Sequence, residues 1–116
     1  MDAGADKTGL LARMMDAAHL RHQVLAHNLA NQNTPGFRRS TVQFENLLRE
    51  ATGPGAAAKV QPTIVEDNVT PSGPDDNNVN LELELNAIRE NQLLYDTYAR
   101  ILRSDFDLLQ SAIRSR

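Results

Sequence analysis

Residues 81–114 have the sequence LELELNAIRENQLLYDTYARILRSDFDLLQSAIR and contain neither glycine nor proline. Ten positions follow one another at alternating spacings of four and three residues, and only one of them is polar. We call these ten the C-terminal seam: Leu81, Leu85, Ile88, Gln92, Tyr95, Ala99, Leu102, Phe106, Leu109 and Ile113. Such a repeat is typical of a long helix in a coiled coil or a bundle. We expect Asn80 to cap this helix, and Arg114 and Arg116 to be favoured near its C-terminal end.

The same spacing occurs near the N-terminus and predicts a second helix, from about Thr8 to about Ala30. Its repeat, the N-terminal seam, consists of Leu11, Met15, Ala18, His22, Leu25 and Leu29. Pro35 and Gly36 then predict a type II turn, in which glycine supplies a positive φ at the third position. Because the two seams have matching periods, we expect a mainly α fold in which both helices form a coiled-coil hairpin.

The middle of the chain, residues 51–77, holds four of the five prolines and three of the six glycines. Proline disrupts helices and sheet interiors, so we predict an irregular excursion in which residues 63–65 are the candidate for a short strand. The chain therefore divides into residues 1–50, 51–77 and 78–116 within one structural domain.

Composition excludes several classes of function. The net charge of −3 argues against a basic nucleic-acid surface, and the absence of cysteine excludes disulfides and thiolate chemistry. The first residues carry acids where a signal peptide has a basic region, and no apolar run reaches the length of a membrane span. A lone antiparallel pair of helices would leave much of the apolar surface of its two seams in water. We therefore expect self-association or a partner that covers this surface.

A metal site is the first chemical alternative that the histidines raise. Asp16, His19 and His22 lie one turn apart on a predicted helix, but no second element supplies further ligands. A histidine phosphotransfer domain would place a lysine near its reactive histidine, and no lysine occurs between Lys7 and Lys59. We therefore predict no metal and no cofactor.

Carboxylates and arginines offer no catalytic set either. Glu82 and Glu84 are two residues apart and do not share a helix face, so we predict that both are solvated. Arg38 and Arg39 are likewise predicted to be solvated. No nucleotide-binding glycine loop and no nucleophile–base pair with supporting spacing occurs, so we expect neither catalysis nor a small-molecule substrate.

Residues 30–37 (ANQNTPGF) resemble the signature of the bacterial flagellar axial proteins, the family of rod, hook and hook-associated subunits. Every fixed position of that signature is met, by Ala30, Asn31, Thr34, Pro35, Gly36 and Phe37. Residues 76–84 (DNNVNLELE), followed by residues 91–95 (NQLLY), are similar to the proximal rod members of this family. Two departures occur in the second motif, where Asp76 stands in place of the usual glycine and Asn80 in place of the usual aspartate.

The resemblance implies a structural subunit that polymerises through its terminal helices into the proximal rod of the flagellar basal body and transmits torque. It implies export by the flagellar type III apparatus without a cleaved signal peptide, and a final place in the periplasmic rod. The implied partners are further copies of the chain, the rod subunits FlgC and FlgF, FliE and the membrane-supramembrane ring.

Two other classes of function remain open at this stage. A soluble helical-hairpin adaptor or secretion-associated protein, acting as a dimer, would share the seams but would not need the signature at residues 30–37. A small helical-bundle enzyme would need charged residues that point into the bundle, and the seams and the stripe beside them offer only His22, Gln92 and Asp105.

Overall fold

Two long antiparallel helices dominate the computed structural model, which describes residues 3–115. Helix α1 spans Ala3–Ala30 and α3 spans Leu81–Arg114, with the short helix α2 (Glu45–Glu50) between them. Contacts of Lys7 with Asp105 and of Asn28 with Glu84 join opposite ends of α1 and α3. The predicted mainly α hairpin is confirmed.

The ends of the long helices follow local sequence. Helix α1 ends at Ala30, as predicted, but it begins at Ala3 rather than near Thr8, because no proline precedes Thr8 in the described chain and a single glycine, Gly4, does not interrupt a helix. The side chain of Asn80 accepts a hydrogen bond from the backbone N–H of Leu83 at 3.1 Å and caps α3. Arg114 lies in the last turn of α3, and Arg116 lies outside the described residues.

The middle of the chain is more regular than the sequence predicts. Strand β1 (Ser40–Gln43) pairs antiparallel with β2 (Thr63–Glu66), and a short 3-10 helix covers Ala57–Lys59. The predicted strand at residues 63–65 is therefore present, with one further residue. Neither β1 nor α2 was predicted, because each is at most six residues long and depends on contacts with distant segments.

Helix α1 holds β1 in place through two polar side chains. Asn28 is fully buried; its amide donates to the carbonyl of Ser40 at 2.8 Å and accepts from the N–H of Ser40 at 2.9 Å. Arg21 donates to the carbonyl of Val42 and forms a 2.7 Å ion pair with Glu45. The small sheet is thus fixed against the hairpin near the end of α1.

The buried core is small and lies along α1. Leu11 and Ala18 of α1 meet Tyr98 of α3, and Met14, Met15 and Leu102 pack against them. Phe44, just after β1, is fully buried, and the guanidinium of Arg13 lies 5.9 Å from the centre of its ring. The molecule is long and thin, with extents of 66 × 30 × 14 Å.

Helix α3 contacts α1 through a line of residues beside the predicted seam. Its buried residues, Glu84, Asn91 and Tyr98, are spaced seven apart, and the amide of Asn91 donates to the carbonyl of Ala18 at 2.7 Å. Each is followed directly by a member of the C-terminal seam, which lies about 100° further around the helix. Most of that seam consequently remains exposed.

Candidate functional site: the motif junction

The two family-like motifs, far apart in sequence, meet where α1 ends and α3 begins. We call this contact between residues 30–39 and 75–84 the motif junction. The buried amide of Asn77 donates to the carbonyl oxygens of Asn31 at 2.9 Å and Thr34 at 2.8 Å. The N–H of Gly36 donates to the carbonyl of Asp75 at 2.9 Å. The turn after α1 and the segment before α3 therefore form one hydrogen-bonded unit.

The turn itself has the predicted geometry at its glycine. Gly36 has a φ of +75°, and the N–H of Phe37 donates to the carbonyl of Thr34 at 3.2 Å. The side-chain amide of Asn31 donates to the carbonyl of His27 at 2.9 Å, and the same carbonyl accepts the backbone N–H of Asn31 at 3.2 Å. Proline and glycine at these positions fix the direction in which the chain leaves α1.

Asp76, the departure from the family pattern, also has a positive φ, of +61°. The usual glycine would adopt this conformation without strain, whereas aspartate is one of the few other residues that tolerate it. The carboxylate of Asp76 accepts a hydrogen bond from Arg38 at 2.9 Å. Asp76 is thus held in a conformation that glycine would adopt without strain.

A buried ionic network lies at the base of the motif junction. Glu84 is only 1% exposed and accepts hydrogen bonds from Arg39 and, at 3.4 Å, from Asn28. Arg39 also pairs with Asp67 at 2.7 Å. The amide of Asn78 accepts from the N–H of Arg39 and donates to the carbonyl of Asp67. This network joins α1, β1, the loop after β2 and α3.

The charges in this network stabilise one another. Burial opposes the charge of Arg39, but hydrogen bonds and the negative charges of Glu84 and Asp67 outweigh it and raise the pKa of Arg39 above its ordinary value. Hydrogen bonds from the hydroxyl and backbone N–H of Thr70, joined by that of Arg39, hold the pKa of Asp67 well below its ordinary value. Asp67 is therefore a firmly ionised anchor for Arg39.

The predictions for Glu84 and Arg39 were wrong. Both side chains are withdrawn from solvent, because each neutralises the other where α3 enters the fold. The one sequence signal that marks Glu84 is its place seven residues before Asn91 and fourteen before Tyr98, on the line that packs against α1. No local sequence pattern indicates that Arg39 is withdrawn from solvent, since its partner Glu84 lies 45 residues away.

The signature residues themselves lie mostly at the surface. Asn31 and Phe37 are half-buried, and the ring of Phe37 contacts His27 edge-on with 5.7 Å between ring centres. The exposed signature residues are Ala30, Thr34, Pro35 and Gly36. The turn is therefore accessible for contact with another molecule.

The residues predicted to pack fall into two groups. In the N-terminal seam, Leu11, Ala18 and Leu25 are buried, and Met15 and Leu29 are half-buried, whereas His22 is exposed. In the C-terminal seam, Ile88, Ala99 and Leu102 are half-buried. Its exposed members are Leu81, Leu85, Gln92, Tyr95, Phe106, Leu109 and Ile113. Subunit packing through the exposed members stays a prediction.

The described part of the chain has neither a metal-binding cluster nor a membrane-spanning helix. Among residues 3–115, no group of three histidine, aspartate or glutamate side chains gathers closely enough to hold a metal ion. None of the helices in that range combines the length and the apolar character that crossing a membrane requires.

Comparison with known proteins decides between the classes of function. No protein-family model matches the chain. It is 32% identical over 105 residues to the flagellar basal body rod protein FlgB of Aquifex aeolicus (strain VF5), covering 83% of both chains. The chain belongs to the FlgB family of flagellar basal body rod proteins. The FlgB of Borrelia hermsii is 28% identical and matches 90% of this chain and 93% of its own length.

A second rod protein shows partial similarity. The flagellar basal-body rod protein FlgG of Buchnera aphidicola subsp. Baizongia pistaciae is 40% identical over 68 residues, which are 58% of this chain and 22% of that protein. Membership of the FlgB family assigns the chain a structural role in the flagellar basal body rod.

Proposed function

We propose that this FlgB-family chain polymerises through its terminal helices in the proximal rod and transmits motor torque without any chemical turnover. The observation that carries the proposal is the exposed apolar face of α3. Leu81, Phe106, Leu109 and Ile113 are each between 48% and 62% exposed, on a helix whose N-terminal end is firmly anchored. Such a contiguous face is costly in water and is covered when subunits pack together.

Stiffness at the base of α3 supports a role in torque. The buried pair of Glu84 and Arg39 fixes α3 to the residue that precedes β1, and Asn77 fixes the segment before α3 to the turn after α1. A subunit that transmits torque has to resist sliding of one of its helices against the other. Polar contacts with fixed directions oppose such sliding better than apolar contacts, which are not directional.

The proposed partners follow from the rod assignment. They are further copies of this chain, the rod subunits FlgC and FlgF, FliE, and the membrane-supramembrane ring. We further propose that the flagellar type III apparatus exports the chain without a cleaved signal peptide, so that it assembles in the periplasmic part of the basal body. Ordering of the seams on assembly is consistent with the small core of the isolated chain.

One pair of variants tests polymerisation through the exposed face. Leu109→Asp places a charge on the C-terminal seam, and Ser111→Asp places the same charge two residues later, on another face of α3. Leu109→Asp should abolish swimming and remove the chain from purified basal bodies, although expression and helix content persist. Ser111→Asp should retain both. Normal swimming of the Leu109→Asp strain would refute assembly through this face.

The size of the purified chain separates the proposal from the alternative adaptor. A discrete dimer with fully ordered helices at micromolar concentration, together with absence of the chain from basal bodies, would favour a soluble hairpin adaptor. A monomer that forms longer polymers as its concentration rises supports the rod subunit.

A further inference from the structure

A second repeat, on α1, faces away from α3. It consists of exposed residues spaced alternately three and four apart, most of them small, and we call it the outer stripe: Gly9, Ala12, Asp16, His19, Gln23, Ala26 and Ala30. The residues of α1 that contact α3 or line the core, such as Leu11, Ala18 and Leu25, lie on another side of the helix. The outer stripe therefore has no cover within the described chain.

The C-terminal seam and the outer stripe have opposite characters. The seam presents large side chains, including Leu81, Leu85 and Tyr95, with exposed fractions of 48%, 36% and 36%. The stripe presents alanine and glycine at four of its seven positions. Small residues on one helix allow a partner helix with large side chains to approach closely, and both faces share the spacing of a coiled coil.

We propose that the first seven members of the C-terminal seam of one copy, from Leu81 to Leu102, pack against the outer stripe of the next copy, with all copies pointing in the same direction. The inference rests on the proposed function and specifies the partner face and the register of contact. In this register α3 runs antiparallel to the neighbour's α1. The layers pair Leu81 with Ala30, Leu85 with Ala26, Ile88 with Gln23, Gln92 with His19, Tyr95 with Asp16, Ala99 with Ala12, and Leu102 with Gly9.

Two of the three polar members of the outer stripe, Asp16 and His19, meet polar groups of the seam in this register. Gln92, the polar break in the seam, meets His19, so each gains a hydrogen-bonding neighbour when water is removed. The hydroxyl of Tyr95 meets the carboxylate of Asp16, which can accept its hydrogen bond. The larger aliphatic residues of the seam meet Ala30, Ala26 and the aliphatic part of Gln23.

The charged groups beside and on the two faces agree with the same register. Glu82 comes opposite His27, so that no like charges meet there. A shift by one heptad in either direction places an aliphatic side chain, Ile88 or Leu102, opposite Asp16. A carboxylate against an apolar side chain disfavours both shifts.

The proposed contact requires almost no displacement along the helix axis. Within one chain, Asn28 contacts Glu84 and Ala18 contacts Asn91, so the proposed layers lie within about one helical turn of the contacts inside the chain. Neighbouring copies would therefore lie side by side with almost no offset along the helix axis. Because the two faces differ, each added copy leaves one of each face open, and the array continues or closes into a ring.

Cysteine crosslinking tests the register, since the chain contains no natural cysteine. In the native flagellated cell, one chain carries Leu85→Cys and another carries Ala26→Cys, and a short thiol crosslinker is applied to intact cells and to purified basal bodies. Co-expression should give crosslinked dimers, and the double variant should give a ladder of higher species. Each single variant alone should stay monomeric.

A matched control separates register from mere proximity. Leu85→Cys with Ala12→Cys places the thiols two heptads apart along the helix, about 21 Å from the proposed layer, and should give no ladder. The proposal is overturned if the matched pair gives no ladder while the chains enter basal bodies and the cells swim, a result that would leave the rod role intact. Equal ladders from both pairs would also overturn it. Absence of the unsubstituted chain from basal bodies would refute the proposed function instead.

Discussion

Replacing Glu84 by glutamine removes the one charge that α3 contributes to the buried network. A hydrogen bond to a charged group contributes about 1.5–3 kcal/mol, and removing one partner of a buried ion pair costs about 3–5 kcal/mol. The glutamine carbonyl can still accept from Arg39, and Asp67 still neutralises that guanidinium, so the lower values apply. We expect the free energy of unfolding to fall by about 2 kcal/mol.

Urea unfolding of the purified chain, followed by circular dichroism, measures this loss. For a small protein, in which the free energy falls by about 1–3 kcal/mol per molar urea, the midpoint should move by about 1 M. Glu82→Gln is the matched control, because Glu82 shares the first turn of α3 and hence the effect of the helix dipole, but is exposed. Its loss should stay within about 0.5 kcal/mol. Equal midpoints for both variants would show that the buried pair does not hold α3 to the motif junction.

Two further predictions concern the turn and the acid side of the stability profile. Gly36→Ala should lower the free energy of unfolding by about 1–2 kcal/mol because of the positive φ, and Gly36→Asn should lower it by less. A Cβ at this position meets nothing within 4 Å, so the expected cost is conformational and not steric. Equal melting temperatures of Gly36→Ala and the unsubstituted chain would contradict this cost. Since the folded pKa of Asp67 lies below its ordinary value of 3.8, the stability that it contributes is present above pH 3.8 and is lost as the pH falls toward the folded pKa. Urea midpoints between pH 6 and pH 3 should therefore decline less for Asp67→Asn than for the unsubstituted chain, and parallel declines would exclude this role.

Local pattern was sufficient to predict the long elements. The heptad spacing located α3, the Pro-Gly pair ended α1 and gave Gly36 its positive φ, and Asn80 marked the start of α3. These features depend on residues within a few positions of one another, where helix and turn preferences act.

The contacts that organise the candidate site could not be predicted in this way. Strand β1 forms because β2 lies alongside it, with paired residues 20 to 26 positions apart in the chain. Glu84 is buried because Arg39 pairs with it. The sequence around either residue does not indicate that the two form a pair. The rotation of α3 depends on the same pairing, since Glu84 directs the line through Asn91 and Tyr98, rather than the more apolar seam, toward α1.

The hold of α1 on β1 has a consequence for how copies of the chain can meet. The side-chain amide of Asn28 donates to and accepts from the backbone of Ser40, as a neighbouring strand would. The guanidinium of Arg21 donates to the carbonyl of Val42. A free strand edge would invite pairing with the sheet of another molecule. Helix α1 thus takes the place of a third strand along Ser40–Val42, and this edge of β1 is closed to pairing with the sheet of another copy.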